Sequence, residues 1–88
     1  MTPTDAQAMQ DDAKARGAWI MWFVSEADAE HPGKVVAHAY EASHPGGQRQ
    51  PGALVADTLT ELRAMLPAGL TRHNAIAGAP VGEIETWD

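Results

Sequence analysis

The longest hydrophobic run of the chain, AWIMWFV, occupies residues 18–24. It is short, rich in aromatic and branched side chains, and bounded by a glycine and an acidic stretch, which indicates a central β-strand. Alternation along a strand divides the large side chains between two faces, with Trp19, Met21 and Phe23 on one and Ile20, Trp22 and Val24 on the other. Both faces are apolar, so both need to be covered.

Two further strands are predicted downstream of this run. A turn at residues 30–33, with the sequence EHPG, precedes a strand at residues 34–41, which we expect to pair antiparallel with the first. Residues 42–52 are rich in Pro, Gly, Ser and Gln and predict a flexible loop. Residues 53–56 then form a short edge strand that leads directly into a helix.

A strand at residues 81–87 closes the chain. Its polar and apolar residues alternate as in a half-buried or edge strand. We expect Ile84 and Thr86 to face inward and Glu83 and Glu85 to face outward.

An amphipathic helix is predicted between the third and last strands. Thr58 and Glu61 have the spacing of a capping box, in which each side chain satisfies a free backbone amide of the other residue. Four large apolar residues follow at helical spacing: Leu59, Leu62, Met65 and Leu66. Pro67 and Gly69 end the helix.

Residues 1–17 differ from the rest because they contain no Val, Ile, Leu or aromatic residue. Thr4 and Gln7 have capping-box spacing, but isolated helices shorter than about 12–15 residues are marginal in water. We therefore expect a flexible leader or a frayed helix, followed by a single α+β domain at residues 18–88. The domain is predicted to have a small antiparallel or mixed sheet of three to four strands and one main helix, in the order β-β-(β)-α-β.

One helix covers only one face of a sheet, so the other face of the first strand needs a different cover. The leader, a second copy of the chain or another protein would provide it, unless the sheet curls enough to hide both faces. We favour a homodimer.

The chain of 88 residues carries twelve acidic and six basic side chains, a net charge of −6 and a sequence pI near 5.0. This balance argues against nucleic-acid binding through a general basic surface. No apolar run approaches the roughly 18 residues that span a bilayer, and no signal-peptide pattern is present, so we expect a cytoplasmic protein without a membrane partner. The absence of cysteine excludes disulfides and thiolate sites.

The sequence predicts no catalytic, cofactor-binding or metal site. The four histidines lack the helical or His-x-His spacing typical of metal ligands. Ser43 and His44 are adjacent, but no Gly-x-Ser-x-Gly elbow accompanies them. An enzyme is therefore improbable, and a small hydrolase or a metal-binding protein is the weakest of the functional hypotheses.

Four residues form the candidate partner surface. Trp22 and Trp87 are aromatic anchors of the kind that concentrate binding energy at interfaces, although both also suit a core. Arg72 and His73 provide a small basic spot near the exit of the predicted helix.

The aromatic first strand and three further segments together resemble a family of small uncharacterised bacterial proteins; the three are GKVVA at 33–37, LVADTLTELRAMLPAGLTR at 54–72 and EIETW at 83–87. The resemblance covers roughly residues 18–88; it implies an α+β fold and no assigned activity. A partial similarity to HicB-type antitoxins lies in Asp57, Thr58 and Glu61 at the start of the helix, but the Pro-Gly-Cys turn of those proteins is absent. The leading hypothesis is an acidic, non-enzymatic interaction domain that self-associates, and the alternative is an antitoxin-like module that binds a basic protein.

Overall fold

The computed structural model of the chain describes residues 1–42, 47–75 and 82–88. The elements are α1 (Pro3–Ala15), β1 (Ile20–Ser25), β2 (Val35–Glu41), β3 (Gln48–Arg49), β4 (Leu54–Ala56), α2 (Leu59–Met65), β5 (Arg72–Asn74) and β6 (Glu83–Trp87). The predicted α+β class is confirmed. The described ranges contain two helices and six strands, however, where one main helix and three to four strands were predicted. Part of the loop predicted at 42–52, with Ser43 and His44, and the first residue of the strand predicted at 81–87 lie outside the described residues.

The six strands of the described ranges form one open antiparallel sheet. Its order is β3-β2-β1-β6-β5, and β4 also pairs with β2. The prediction of β1 as a central strand, paired antiparallel with β2, is confirmed. The two strands absent from the sequence prediction, β3 and β5, have only two and three residues, all of them exposed. Such short polar segments carry no hydrophobic pattern by which they can be recognised.

The hydrophobic core lies on one face of the sheet, between the sheet and the two helices. Trp22 of β1 is fully buried at its centre, opposite Ala39 of β2, whose small side chain leaves room for the indole. The buried core cluster consists of Ala6, Ala13, Ile20, Trp22, Val24, Ala37, Ala39, Leu54, Ala56 and Leu62. Because α1 and α2 both contribute to this cluster, both helices pack against the same face.

Residues 3–15 form a regular helix, so the prediction of a flexible or frayed leader is corrected. The N-cap is Thr2 rather than Thr4: the Thr2 hydroxyl accepts from the Asp5 amide, and the Asp5 carboxylate accepts from the Thr2 amide, both at 3.1 Å. Ala6 and Ala13 are buried against the sheet. Met9 of the helix also packs against the core cluster, and Trp22 extends up to the helix, where its indole donates to Gln10.

Helix α2 begins at the predicted cap, since the Thr58 hydroxyl accepts from the Glu61 amide at 3.2 Å. We expect Thr58→Ala to lower the free energy of unfolding by about 0.5–2 kcal/mol, because one helix amide loses its acceptor. Urea denaturation followed by circular dichroism measures the change. Thr60→Ala, at an exposed position inside the same helix, is the matched control. An equal loss in both variants would contradict a capping role for Thr58.

The facing predicted for β6 is wrong at two positions. Glu85 is only 2% exposed and lies on the core face, opposite Val24 of β1. Thr86 is opposite Phe23, on the other face. The burial of Glu85 is possible because α2 supplies a guanidinium to it, which no alternation pattern reveals.

In the described ranges neither helix has the length and apolar character needed to cross a membrane.

Candidate interaction surface

The second face of the sheet presents a row of large side chains from β1 and β2. Alternation directs Met21 and Phe23 away from the helices, and the register places Tyr40 opposite Met21 and Thr86 opposite Phe23. Trp19 precedes β1 on the same side. We call this surface, made of Trp19, Met21, Phe23, Tyr40 and Thr86, the open face. No helix within the described residues contributes to it.

The open face has an ordered aromatic centre and an exposed aromatic edge. The rings of Phe23 and Tyr40 meet edge to face, with centroids 5.1 Å apart and planes at 85°. Among the described residues, Trp19 is the one large hydrophobic residue that is exposed, and its exposed fraction is 58%. Its carbonyl accepts a hydrogen bond from the Ala42 amide at 2.8 Å, so the backbone of Trp19 is held by the residue that follows β2, although its indole is largely in solvent.

A group of polar side chains flanks the open face where β1 turns into β2. Asp28 Oδ2 lies 2.7 Å from Nδ1 of His31, and Asp28 Oδ1 lies 3.8 Å from Nε2 of His38. The hydrogen bond with His31 is the main reason that the pKa of Asp28 lies below its usual value. Asp28 is therefore an ionised carboxylate placed between two imidazoles.

His38 also meets the guanidinium of Arg49. Arg49 Nη2 lies 2.8 Å from Nδ1 and 3.1 Å from Nε2 of the ring. Burial first, and then the charge of Arg49, lower the pKa of His38. A neutral imidazole fits this contact, because a guanidinium only donates and needs a ring nitrogen with a free lone pair. Among the residues that the structure describes, no three His, Asp or Glu side chains form a group that could hold a metal ion.

The structure does not bring the four predicted surface residues together. Trp22 has no exposed surface and donates from Nε1 to the Gln10 side chain at 3.1 Å, so its assignment to a partner surface is wrong. Trp87 and Arg72 are paired on the core side. His73 is opposite Thr86, on the side of the open face, where its Nε2 lies 2.7 Å from Asp88 Oδ1.

Of the two residues of the basic spot predicted near the helix exit, Arg72 approaches the buried carboxylate of Glu85, whereas His73 contacts Asp88. Glu85 accepts from Arg63 Nε at 3.0 Å and Nη2 at 2.7 Å, and from Trp87 Nε1 at 3.0 Å. Arg72 Nη1 lies 3.8 Å from the same carboxylate. The bonds from Arg63 are the main reason that the pKa of Glu85 is lowered despite its burial. These groups hold β6 and α2 together.

Trp19 is the surface residue that sequence reasoning missed. Its alternation with Met21 and Phe23 was recognisable, but the pattern does not say which face the helices cover.

Comparison with models of protein families, with curated proteins and with solved structures found no match for this chain. The open face is therefore interpreted from its own chemistry.

Proposed function

We propose that the protein is a small non-enzymatic interaction domain that self-associates through its open face. The observation that carries this proposal is the exposure of Trp19 beside Met21 and Phe23, on a sheet face to which no helix of the described residues contributes. Met21 and Phe23 are half-buried beside the exposed Trp19. Apolar surface grouped in this way is characteristic of binding sites, and rigid aromatic side chains supply much of the binding energy there.

A second copy of the chain fits this surface by charge. The residues of the open face are uncharged, and two acidic groups at its margins are matched internally, Asp28 with His31 and Asp88 with His73. Of the other charged groups nearby, Arg49, opposite Tyr40, and Glu30 have opposite signs. Two such faces can therefore meet without bringing the excess negative charge of the two chains into the contact. A basic partner, as an antitoxin-like module would have, is favoured by an acidic surface rather than by this uncharged one.

Sheets pack face to face at a separation of about 10 Å, with side chains of the two inner faces interdigitating. A twofold axis through the open face would place each Trp19 against the partner's sheet, so that one set of residues serves both sides of the contact. This arrangement would remove the exposed indole from water and cover the second side of β1.

We expect light scattering on the purified protein to give a mass that rises with concentration towards twice the chain mass of 9.4 kDa. Trp19→Ser should shift the equilibrium to the monomer, because it removes the largest exposed apolar group without disturbing the core. Trp19→Phe should retain association, since it keeps an aromatic ring at the position. Ala64→Ser, at an exposed position of α2 on the other side of the sheet, is the control and should behave as the wild type.

Two results would refute self-association through the open face. One is a wild-type mass that equals the single chain at every concentration, which would leave a different protein as the partner. The other is an association constant that is the same in the wild type and in Trp19→Ser.

A further inference from the structure

We propose that a cleft beside the open face binds a zwitterionic α-amino acid with an apolar side chain. The cleft has a volume of about 330 Å³, near the lower end of the range of about 300–1,000 Å³ typical of small-ligand sites. Its lining combines charged side chains, two imidazoles and apolar groups, contributed by Met1, Glu30, His31, His38, Arg49, Gly52, Ala53 and Val55.

Arg49 supplies the first recognition element. The other arginines, Arg16, Arg63 and Arg72, each have a carboxylate within 4 Å. In the described parts of the chain Arg49 has no carboxylate within 4 Å, although the protein has twice as many acidic as basic side chains. A guanidinium carries five donors and binds a carboxylate through two parallel hydrogen bonds. Arg49 is therefore equipped to bind the carboxylate of a ligand.

The position of Arg49 is set by the sheet and by His38. Strand β3 pairs with β2 so that Arg49 lies opposite Tyr40, on the side of the sheet that carries His38. One terminal nitrogen of Arg49 meets the His38 ring, while Nε and Nη1 have no hydrogen-bond partner among the described residues. The contact with a His38 ring nitrogen orients the guanidinium, and a nitrogen that accepts from it leaves its positive charge uncompensated.

Glu30 supplies the second recognition element. It enters the cleft from the loop between β1 and β2, whereas Arg49 enters from β3. Within the described residues Glu30 makes no ion pair. A ligand that carries only a carboxylate would be repelled by the negative charge of Glu30 as it approaches Arg49. A ligand that also has an ammonium group would satisfy Glu30 and Arg49 together, which favours a zwitterion.

The remaining lining selects the side chain of the ligand. Met1, Ala53 and Val55 place apolar groups in the cleft beside the charged residues. An aliphatic side chain would displace water from this surface without leaving a polar group unsatisfied. L-leucine has the two charges and the hydrocarbon body that the cleft requires, and it serves as the probe.

A titration of the full chain with L-leucine, followed by amide chemical shifts in NMR, tests the site. We expect saturable shifts at residues 28–31, 38 and 49–55, with a dissociation constant on the order of 1 mM or lower. The two fragments of the probe, 4-methylpentanoate and isopentylamine, each keep only one of the charges. Both should bind at least about tenfold more weakly, because each leaves one charged wall without a partner.

Variants separate recognition from an effect on the fold. Arg49→Gln should abolish saturation by L-leucine, and Arg49→Lys should retain weakened binding because it keeps the charge but loses the planar fork. Glu30→Gln should bring the affinities for L-leucine and 4-methylpentanoate closer together. Lys14→Gln, at an exposed position of α1 remote from the cleft lining, should bind as the wild type does.

The proposal is overturned if L-leucine causes no saturable shift up to about 10 mM, roughly ten times the expected dissociation constant. It is also overturned if Arg49→Gln binds as tightly as the wild type, or if the shifts map to residues outside the cleft. Binding of 4-methylpentanoate equal to that of L-leucine would exclude the role of Glu30 and the zwitterion with it.

Discussion

Replacing Trp22 with alanine is expected to lower the free energy of unfolding by about 3–5 kcal/mol. The indole has no exposed surface and packs where β1 faces both helices. Its removal loses buried apolar area, leaves a cavity and frees the Gln10 side chain from its hydrogen bond. Small domains have a total stability of only about 5–15 kcal/mol, so the loss is a large share of the total, and at the low end of that range a substantial fraction of the variant is unfolded at room temperature.

Urea denaturation monitored by circular dichroism measures this loss, and Trp19→Ala is the matched control. It removes the same side chain from a position three residues earlier that is 58% exposed. At concentrations where the protein is monomeric, the control should change stability little, since most of its indole is already in water. Similar losses in the two variants would mean that the two tryptophans do not differ in burial. Trp22→Phe keeps much of the apolar volume and should cost about 1 kcal/mol, mainly through the lost hydrogen bond.

Glu85→Gln has the second largest expected effect, a loss of about 1.5–3 kcal/mol at neutral pH. The carboxylate is 2% exposed and receives three hydrogen bonds, two of them from the Arg63 guanidinium. An amide offers one acceptor oxygen in place of two and turns an N–H group towards the guanidinium. The variant therefore keeps the shape of the side chain but leaves donors facing each other in a buried site.

Asp57→Asn is the control for Glu85→Gln, because Asp57 pairs with Lys34 where both side chains are largely exposed. Solvent screens that pair, so we expect no measurable change in stability. A loss in Asp57→Asn equal to that in Glu85→Gln would show that burial of the carboxylate does not determine the effect.

The pH dependence gives an independent check on Glu85. Its pKa in the folded protein lies below the ordinary value of 4.5, so the folded state favours the ionised form. The stability that this provides is complete above about pH 4.5 and is lost as the pH falls through the folded pKa. On acidification the wild type should therefore lose more stability than Glu85→Gln does. The difference between their free energies of unfolding should become smaller. If the difference in the free energy of unfolding stays constant from pH 7 to acidic pH, the folded protein does not favour the ionised form of Glu85.

The two tryptophans of the first hydrophobic run have different expected roles because the sheet is covered on one side by helices. Trp22 is directed to the core, and its loss should damage folding before it affects association. Trp19 is directed to the open face, and its loss should affect association before folding. Measuring stability and mass for both variants separates the two roles within one short segment.

Much of the fold was predictable from local patterns. Strands β1, β2 and β4 and helix α2 are marked by hydrophobic runs, by turn residues and by the Thr58 cap, which act over a few residues. Strands β3 and β5 depend instead on the neighbouring strands that supply their hydrogen-bond partners. Helix α1 was underestimated because two of its core contacts come from alanines, and alanine does not distinguish a buried position from an exposed one. Its bond from Trp22 to Gln10 also depends on a residue outside the helix.

The candidate surfaces were harder to predict from the sequence than the fold. Trp19 and Trp22 are both aromatic and lie in the same run, so their residue types do not reveal which is exposed. Arg49 lies in a segment predicted as a loop, and its proximity to His38 results from the pairing of β3 with β2. Glu85 has the alternation of an outward residue, and only the position of Arg63 across the fold explains its burial.

The order of residues alone establishes that β1 has two apolar sides and that a capped amphipathic helix follows it, because alternation and capping are properties of neighbouring residues. The docking of both helices decides which side of β1 becomes core. That choice depends on contacts between segments far apart in the chain, such as Gln10 with Trp22 and Arg63 with Glu85. A strand with two apolar sides is symmetrical in its pattern, and only the packing of the remaining chain removes the symmetry.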